Sequence, residues 1–275
     1  PRAKSGVMRG REFLMKDLYS FHVDQEDLDD YYEVVHGAYD KIFERLGLSD
    51  KTYYTYASGG SFSEFSHEFQ VVLPQGEDSI FVSTEAEKKG KRIAINKEIY
   101  EAGATECPET GAKDFREESA SEAANIFKLG TKFSEPFDLQ YTDVEGKQYP
   151  IPMGCYGIGV SRLMGIVVEA LADDDGMRWP ENLAPAAVHI VPIAKTEDDD
   201  AYKQAVALYK KLINAGTSAI IDDRFKVSVG AKLADADLIG CPKRVVISPK
   251  TLDAEGAEVK DRMTGEVTMQ AISSL

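Results

Sequence analysis

The sequence contains few of the residues that mark secreted, metal-binding or membrane proteins. It has only three cysteines, Cys107, Cys155 and Cys241, and they are too widely spaced for a disulfide framework or a complete Cys-x-x-Cys metal pair. No apolar run approaches the roughly 18 to 20 residues that a membrane-spanning helix needs. The first residues carry charge without the apolar core of a signal peptide. These absences predict a cytoplasmic protein with no membrane partner.

Basic residues are also scarce, because 32 lysines and arginines face 47 aspartates and glutamates, which gives a net charge of −15. Phosphate binding is driven by Lys and Arg side chains that release counterions, so this total argues against a nucleic-acid partner. The deficit is uneven, however. Residues 1–185 carry 20 basic and 34 acidic side chains, whereas residues 186–275 carry 12 and 13. The acidity therefore lies in the first part, and the last part is close to neutral.

A chain of 275 residues, 43% hydrophobic, is long enough for one large domain or two ordinary ones with real cores. Apolar and aromatic residues recur at three- and four-residue steps after Asp24, a suitable N-cap, and stop before Gly47. This spacing predicts a helix over about 25–46. Residues 84–122 are polar and predict a connecting region with a short helix near 96–101.

Two prolines near a polar turn at 179–185 predict a domain boundary, which gives domains over 1–185 and 186–275. Beyond this boundary, strand candidates at 188–193, 218–221 and 244–248 alternate with helix candidates at 197–214 and 229–239. Strands that alternate with helices predict a small α/β domain with parallel strand pairs.

Three segments carry most of the functional information: GVMRGREFLMKD at 6–17, GGS at 59–61 followed by SHEF at 66–69, and MGCYGIGVSR at 153–162. In this order they resemble the prolyl-tRNA synthetases of the bacterial and mitochondrial kind, which are class II aminoacyl-tRNA synthetases. The likeness continues through LGTKFS at 129–134, DDR at 222–224 and LIGCP at 238–242, so it covers nearly the whole chain.

The resemblance implies a fold and an activity. The fold is a partial α+β class II catalytic core, a mostly antiparallel sheet with helices, followed by a small α/β anticodon-binding domain. The activity is the ATP-dependent conversion of L-proline to prolyl-adenylate and its transfer to tRNA(Pro). The implied partners are L-proline, ATP with Mg²⁺, tRNA(Pro) and a second copy of the chain in a homodimer.

The ATP site implied by the resemblance involves Arg9, Gly10, Phe13, Gly159 and Arg162. Arginine suits this chemistry because its planar fork pairs with phosphate in a fixed geometry and stays charged. Arg9 and Arg162 are thus the implied catalytic residues. Phe13 is expected to stack under the adenine, and Arg162 to cover the opposite face.

The implied proline pocket involves His67, Cys155 and Gly157. A single histidine is more often structural than catalytic, and a free cysteine usually packs as a small hydrophobe. The glycines at 154, 157 and 159 are spaced Gly-x-x-Gly-x-Gly, which differs from the Gly-x-Gly-x-x-Gly of dinucleotide-binding folds. This difference makes a nicotinamide oxidoreductase a distant alternative.

The resemblance places the tRNA-binding face of the last domain at Asp223, Arg224, Lys226 and Lys232, although a solvated charged surface would have a similar composition. Near Cys107, Thr110 stands where a zinc knuckle would need a second cysteine. One thiolate does not hold a structural zinc, so we predict no zinc and no other metal in the protein.

The family's first motif, its Thr-x-Glu loop and the Phe-Arg-x-Glu half of its second motif would lie before Pro1. We therefore expect the 275-residue chain alone not to aminoacylate. The interval 84–122 is too short for an independent core, so we also expect no editing of mischarged alanyl-tRNA in cis. Two alternatives stay open: a class II synthetase for threonine, histidine or glycine, and a non-catalytic paralogue that binds tRNA.

Overall fold

The computed structural model describes residues 3, 6–60, 63 and 65–275, with Phe65 described for its backbone alone. The chain divides into two compact units, Pro1–Ala170 and Leu171–Leu275. Across the described ranges, no helix combines the length and the apolar character needed to cross a bilayer.

The first unit is built on a seven-stranded sheet in the order β1-β9-β6-β3-β2-β5-β4, in which β4 also pairs with β6. Every pair is antiparallel except β2 with β5. A separate hairpin, β7 with β8, precedes β9. The strands are β1 (Met15–Phe21), β2 (Thr52–Ser58), β3 (Phe65–Val72), β4 (Asp78–Ser83), β5 (Ile93–Asn96), β6 (Phe115–Gly130), β7 (Gln140–Thr142), β8 (Gln148–Pro150) and β9 (Met153–Gly159).

The helices of this unit are α1 (Gln25–Arg45), α2 (Thr84–Lys88), α3 (Lys97–Glu101) and α4 (Val160–Leu171), with short 3₁₀ turns at Gly6–Met8 and Glu135–Phe137. The predicted helix over 25–46 is confirmed. The Asp24 carboxylate accepts from the backbone N–H of Asp27, and Gly47 adopts φ of 70°, which only glycine enters at no steric cost. The buried stripe of α1 consists of Leu28, Tyr32, Val35, Tyr39 and Phe43.

Residues 84–122, predicted to be a polar connecting region, instead contribute two strands to the sheet. They form α2, β5, α3 and the first half of β6, and the predicted short helix is present as α3 with Asn96 as its N-cap. Ile93 and Ile95 are buried in β5. Arg116 and Glu118 bond each other on one face of β6. Part of the polar composition therefore belongs to the exposed start of β6, where Arg116 and Glu117 are solvent-exposed.

His67, which was predicted to belong to the proline pocket, lies in an aromatic layer between α1 and the sheet. Its ring stacks on Tyr54 with centroids 4.4 Å apart and an angle of 12° between the planes. Its Nδ1 lies 2.7 Å from the hydroxyl of Tyr32, which donates to the carbonyl of Ile126. Burial, followed by the charges of Lys128 and His36, lowers the pKa of His67 to about 4. Successive strand residues face opposite sides of a sheet, so His67 points to the helix and its neighbour Glu68 to the other side.

The second unit has a five-stranded sheet in the order β11-β10-β12-β13-β14. The first three strands are parallel and the last two antiparallel. The predicted alternation of strands and helices is confirmed, whereas β13 and β14 were not among the predicted strands. The elements are β10 (Val188–Pro192), α5 (Asp200–Asn214), β11 (Ala219–Ile221), α6 (Val229–Ile239), β12 (Lys243–Ile247), α7 (Pro249–Asp253), β13 (Ala257–Asp261), β14 (Val267–Gln270) and a 3₁₀ turn at Ile272–Ser274.

The N-cap of α1 gives a first testable expectation. Asp24→Ala removes the acceptor for the Asp27 N–H, so we expect the free energy of unfolding of the first unit to fall by about 1 kcal/mol. Urea unfolding followed by far-UV circular dichroism measures this. Asp30→Ala, an exposed substitution inside the same helix, is the matched control. Equal losses in the two variants would contradict the capping role.

The buried His67 gives an expectation about acid stability. Its folded pKa of about 4 lies below the ordinary 6.5, so the unfolded chain takes up a proton over this interval before the folded chain does. The contribution of His67 to the free energy of unfolding is therefore fully present above pH 6.5 and is lost as the pH falls towards 4. We expect His67→Gln to remove this part of the pH dependence. Since one pKa unit corresponds to about 1.4 kcal/mol, its full size is about 3 kcal/mol.

The measurement is the free energy of unfolding of wild type and His67→Gln at several pH values between 7 and 4. In the difference between the two free energies of unfolding, the contributions of groups that titrate alike in both proteins cancel. A difference that does not change with pH would show that His67 is not the buried neutral group described here.

Candidate active site and nucleic-acid interface

The face of the first sheet opposite α1 carries a cross-strand row of chemically active residues. Asp17 pairs with Gly157, Gly157 with Asn125, and Asn125 with Glu68. Directly opposite residues of antiparallel strands share a face. The register therefore brings two carboxylates, an amide and a glycine into one line.

A cavity of about 160 Å³ lies over this row, with Gly157 and Gly159 in its lining beside Asn125, Phe13 and Arg162. A Cβ at Gly157 would lie 3.1 Å from both the Oδ1 of Asn125 and the Cε of Met15. Glycine keeps the cavity floor open at this position. Two of the predicted ligand-contacting glycines thus line one cavity.

Phe13 and Arg162 are brought to the same place by the junction between β9 and α4. Arg162 lies in the first turn of α4, and the preceding Ser161 accepts from the backbone N–H of Leu14 at 2.8 Å. The Arg162 guanidinium donates to the carbonyls of Met8 and Glu122 at 3.0 and 2.7 Å. Phe13 remains 54% exposed. An exposed aromatic ring and an anchored guanidinium therefore stand at one cavity, as a flat base would require.

A second cavity of about 280 Å³ adjoins the first, since Phe13 and Arg162 line both. Its other lining residues include Arg9, Gly10 and Arg11. The Arg9 guanidinium donates to Glu77 at 2.7 Å, and this bond raises the pKa of Arg9, which keeps the group charged. The second cavity is thus basic, and its three arginines suit a polyphosphate.

Cys155 lies on the same face as the cavities, one row beyond Gly157, and pairs across the strands with Tyr19 and Phe127. Burial raises the pKa of its thiol, so the group is a neutral wall residue. Of the three residues predicted for the proline pocket, Cys155 and Gly157 share this face and His67 does not. Ser61 of the GGS segment lies outside the described residues.

Glu68 is a residue of this face that belongs to the SHEF segment but was given no role in the predicted site. Its carboxylate accepts from the side-chain amides of Gln70 and Asn96 at 2.9 and 3.1 Å. Burial, followed by the charge of Glu122, raises the pKa of Glu68 to about 7. The sequence signals for Glu68 are its place in the SHEF segment and its position next to His67, because adjacent strand residues face opposite sides of a sheet. The site is therefore basic at the Arg9 end and acidic near Glu68 and Glu122.

Cys107 is buried in a tight turn, in which Gly111 donates its N–H to the carbonyl of Cys107 at 2.8 Å. Across the ranges that the structure describes, no group of three or more His, Cys, Asp or Glu side chains is placed to hold a metal ion. The absence of zinc stays a prediction.

In the second unit, a groove of about 1040 Å³ lies at the carboxyl ends of the parallel strands. Lys195, Phe225 and Lys226 are among its lining residues. Asp223 and Arg224, just before Phe225, are exposed. Arg224 pairs through Nη2 with Asp222 and Asp235 at 2.7 and 2.8 Å. Ligands of open α/β sheets bind outside the carboxyl ends of the strands, so this groove is the candidate nucleic-acid interface of the unit.

Lys232 does not belong to that surface, which corrects its predicted contact with tRNA. Only 2% of the residue is exposed, and its ammonium donates to the backbone carbonyls of Pro192 and Asp222 at 3.2 Å each. The Oδ1 of Asp222 lies 3.5 Å from the same nitrogen. Because α6 turns this side chain into the core, Lys232 is a structural residue.

Comparison with known proteins identifies both units. Residues 1–171 match the tRNA synthetase class II core domain (G, H, P, S and T), and residues 187–275 match the anticodon binding domain. The predicted boundary after residue 185 lies between the two matched ranges. The chain is 38% identical to a proline–tRNA ligase of Zymomonas mobilis, over 96% of the chain and 63% of that protein. It is 36% identical to one of Anaplasma marginale, over 100% of the chain and 65% of that protein.

The fold is also that of a solved structure, prolyl-tRNA synthetase from Cryptosporidium parvum complexed with L-proline and AMP, with a TM-score of 0.73 and 20% identity. The match covers 98% of this chain and 48% of that one. The chain spans 63% and 65% of the lengths of the two proline–tRNA ligases, which is slightly less than two thirds. With its α+β core and its α/β second unit, the chain belongs to the class II aminoacyl-tRNA synthetase family.

Proposed function

We propose that the chain carries the nucleotide and amino-acid site and the tRNA-binding unit of a proline–tRNA ligase. The observation that carries the proposal is the meeting of Phe13 and Arg162 at one cavity that adjoins the basic cavity of Arg9. This arrangement stands in a chain 36–38% identical to proline–tRNA ligases. The homodimer, the cytoplasmic location and the use of Mg²⁺ with ATP are part of this proposal and rest on the resemblance.

The geometry supports distinct roles for Phe13, Arg9 and Arg162 in the first half-reaction, the formation of the aminoacyl-adenylate. The adenine lies between Phe13 and Arg162, and the triphosphate lies against Arg9 and Arg162. An oxygen of the amino-acid carboxylate forms a bond to the α-phosphorus, the bond to the bridging oxygen of the β-phosphate breaks, and pyrophosphate leaves. Fixed guanidinium groups neutralise the charge that shifts onto pyrophosphate, so the residues act by positioning and by electrostatics.

The amino-acid end of the site lies beyond Gly157, where Cys155 is a neutral wall and Glu68 and Glu122 supply negative charge. A zwitterionic substrate fits this polarity, because its carboxylate meets the arginines and its ammonium group faces the acidic end. The discrimination that such a pocket achieves by shape alone is modest, about 1 to 3 kcal/mol per methylene group. Other amino acids of this synthetase family are therefore the alternatives that a test has to separate.

The second unit is proposed to bind the anticodon of tRNA(Pro) in the groove beside Phe225 and Lys226. Single-stranded bases are read by stacking and by edge contacts, which an aromatic residue and nearby cations provide. The near-neutral charge of residues 186–275 supports this assignment over the acidic first unit.

The ATP site is tested with Phe13→Ala. Stacking of a base on an aromatic ring is worth about 1 to 3 kcal/mol, so we expect the affinity for a non-hydrolysable prolyl-adenylate analogue to fall by about tenfold or more. Isothermal titration calorimetry on the chain measures the dissociation constant. Leu14→Ala is the matched control, because Leu14 is the next residue and is 71% exposed. Equal losses in both variants would remove Phe13 from the site.

The same titration with the adenylate analogues of threonine, histidine and glycine tests whether proline is the preferred amino acid. We expect the prolyl compound to bind at least tenfold more tightly than each of the others. A preference for another amino acid would assign the chain to a sibling synthetase. Absence of binding by all four would favour a non-catalytic tRNA-binding protein.

The tRNA-binding groove is tested by two lysine variants with opposite expected results. Lys226→Ala should weaken the binding of tRNA(Pro) and lower the salt dependence by about one counterion, without a change in stability. Lys232→Met should lower the free energy of unfolding of the second unit by about 3 kcal/mol, because the buried carboxylate of Asp222 loses a partner. Filter binding at several salt concentrations and urea unfolding followed by Trp179 fluorescence measure the two effects. The assignment fails if Lys226→Ala leaves tRNA affinity unchanged.

A further inference from the structure

Three carboxylates gather around a buried amide on the site face of the first sheet. The Nε2 of Gln70 donates to Glu68 at 2.9 Å and to Asp78 at 3.1 Å. Gln70 is fully buried, and its Oε1 has no hydrogen-bond partner in the described part of the chain. The third carboxylate, Glu122, lies close enough to act electrostatically on Glu68. The cluster therefore holds concentrated negative charge and a polar oxygen without a donor.

This cluster stands directly behind the cavity wall. Glu68 is opposite Asn125 in the β3–β6 register, and Asn125 and Glu122 both line the 160 Å³ cavity. The Nδ2 of Asn125 donates to Glu122 at 2.7 Å. A charge change at Glu68 therefore reaches the cavity through two neighbouring side chains.

The groups that face Glu68 favour its neutral form. Its donors, Gln70 on β3 and Asn96 on β5, are uncharged amides. The charged groups are Asp78 on β4 and Glu122 on β6, both of which repel a negative charge. Two arginines lie beyond these carboxylates: Arg162, 3.4 Å from the Oε2 of Glu122, and Arg9, whose charge acts on both Asp78 and Glu122. Burial and repulsion together keep the pKa of Glu68 at about 7, so the carboxyl exchanges its proton near neutral pH.

We propose that Glu68 is a proton-linked positioning residue for the ammonium group of the amino-acid substrate, acting on the cavity through Glu122 and Asn125. The inference rests on the proposed function. Before the substrate enters, Glu68 holds a proton that relieves the repulsion among the three carboxylates. When the ammonium group arrives, its positive charge favours the carboxylate, and the Glu68 proton leaves to solvent while the substrate keeps its own protons.

The coupling has a definite direction. Since the cation binds better to ionised Glu68, affinity for the zwitterionic amino acid should rise as the pH increases through about 7. Equally, the bound amino acid should lower the pH at which Glu68 loses its proton.

The test is a carboxyl ¹³C NMR titration of the glutamate-labelled chain, with the Glu68 resonance assigned by its loss in Glu68→Gln. We expect a midpoint near pH 7 without ligand and a midpoint at least half a unit lower with saturating L-proline and a non-hydrolysable ATP analogue. N-acetyl-L-proline, which has no ammonium group, should leave the midpoint unchanged. Glu101→Gln, an exposed glutamate at the end of α3, is the matched control variant.

Affinity measurements separate positioning from a purely structural role. The dissociation constant of L-proline should fall as pH rises from 6 to 8 in wild type, should be nearly independent of pH in Glu68→Gln, and should regain its dependence in Glu68→Asp. A ligand-free midpoint below pH 5, or a midpoint that L-proline does not move although its binding heat is measured, overturns the inference and leaves the proposed function standing. If the prolyl-adenylate analogue and L-proline both fail to bind, the proposed function and the inference fall together.

Discussion

The alternation of side chains across the paired strands β3, β6 and β9 is the constraint on which the site depends. Residues directly opposite each other share a face, so a single register places Glu68, Asn125 and Gly157 on one side. The same register places His67, Ile126 and Tyr156 on the other side. A shift of one residue would exchange the two sets. The aromatic packing against α1 therefore also fixes which polar groups face the cavity.

This separation lets two unlike environments lie one residue apart. On the helix side, His67 is enclosed by rings and is held neutral. On the cavity side, Glu68 is buried among carboxylates and amides and titrates near neutral pH. Burial disfavours the charged form in both cases, and it moves the two pKa values in opposite directions because one group is a base and the other an acid. The candidate site is thus confined to the face that α1 leaves open.

The sequence predicts those features that depend on local periodicity. The helix α1 and the alternating elements of the second unit follow from apolar spacing and caps, so they are found near their expected bounds. β2 and the long β6 were not predicted, because partners distant in the chain, and not a local pattern, hold these strands in the sheet. In the site, motif resemblance led to Phe13 and Arg162, which line the same cavities. It did not show that His67 faces α1, because a motif does not specify the face of a strand.

Lys232 is a second residue whose side-chain direction is not predicted from the sequence. Its contacts also explain how the groove of the second unit keeps its shape. Arg224, Lys226 and Lys232 look equivalent as basic residues near one loop, yet α6 directs only Lys232 inward, onto Asp222. Asp222 also binds Arg224, so one buried carboxylate joins the end of β11, the following loop and α6. A buried pair is a weak source of net stability but a strong constraint on geometry, since breaking it leaves a charge without compensation. The buried lysine therefore holds the loop that carries Phe225 and Lys226 at the groove.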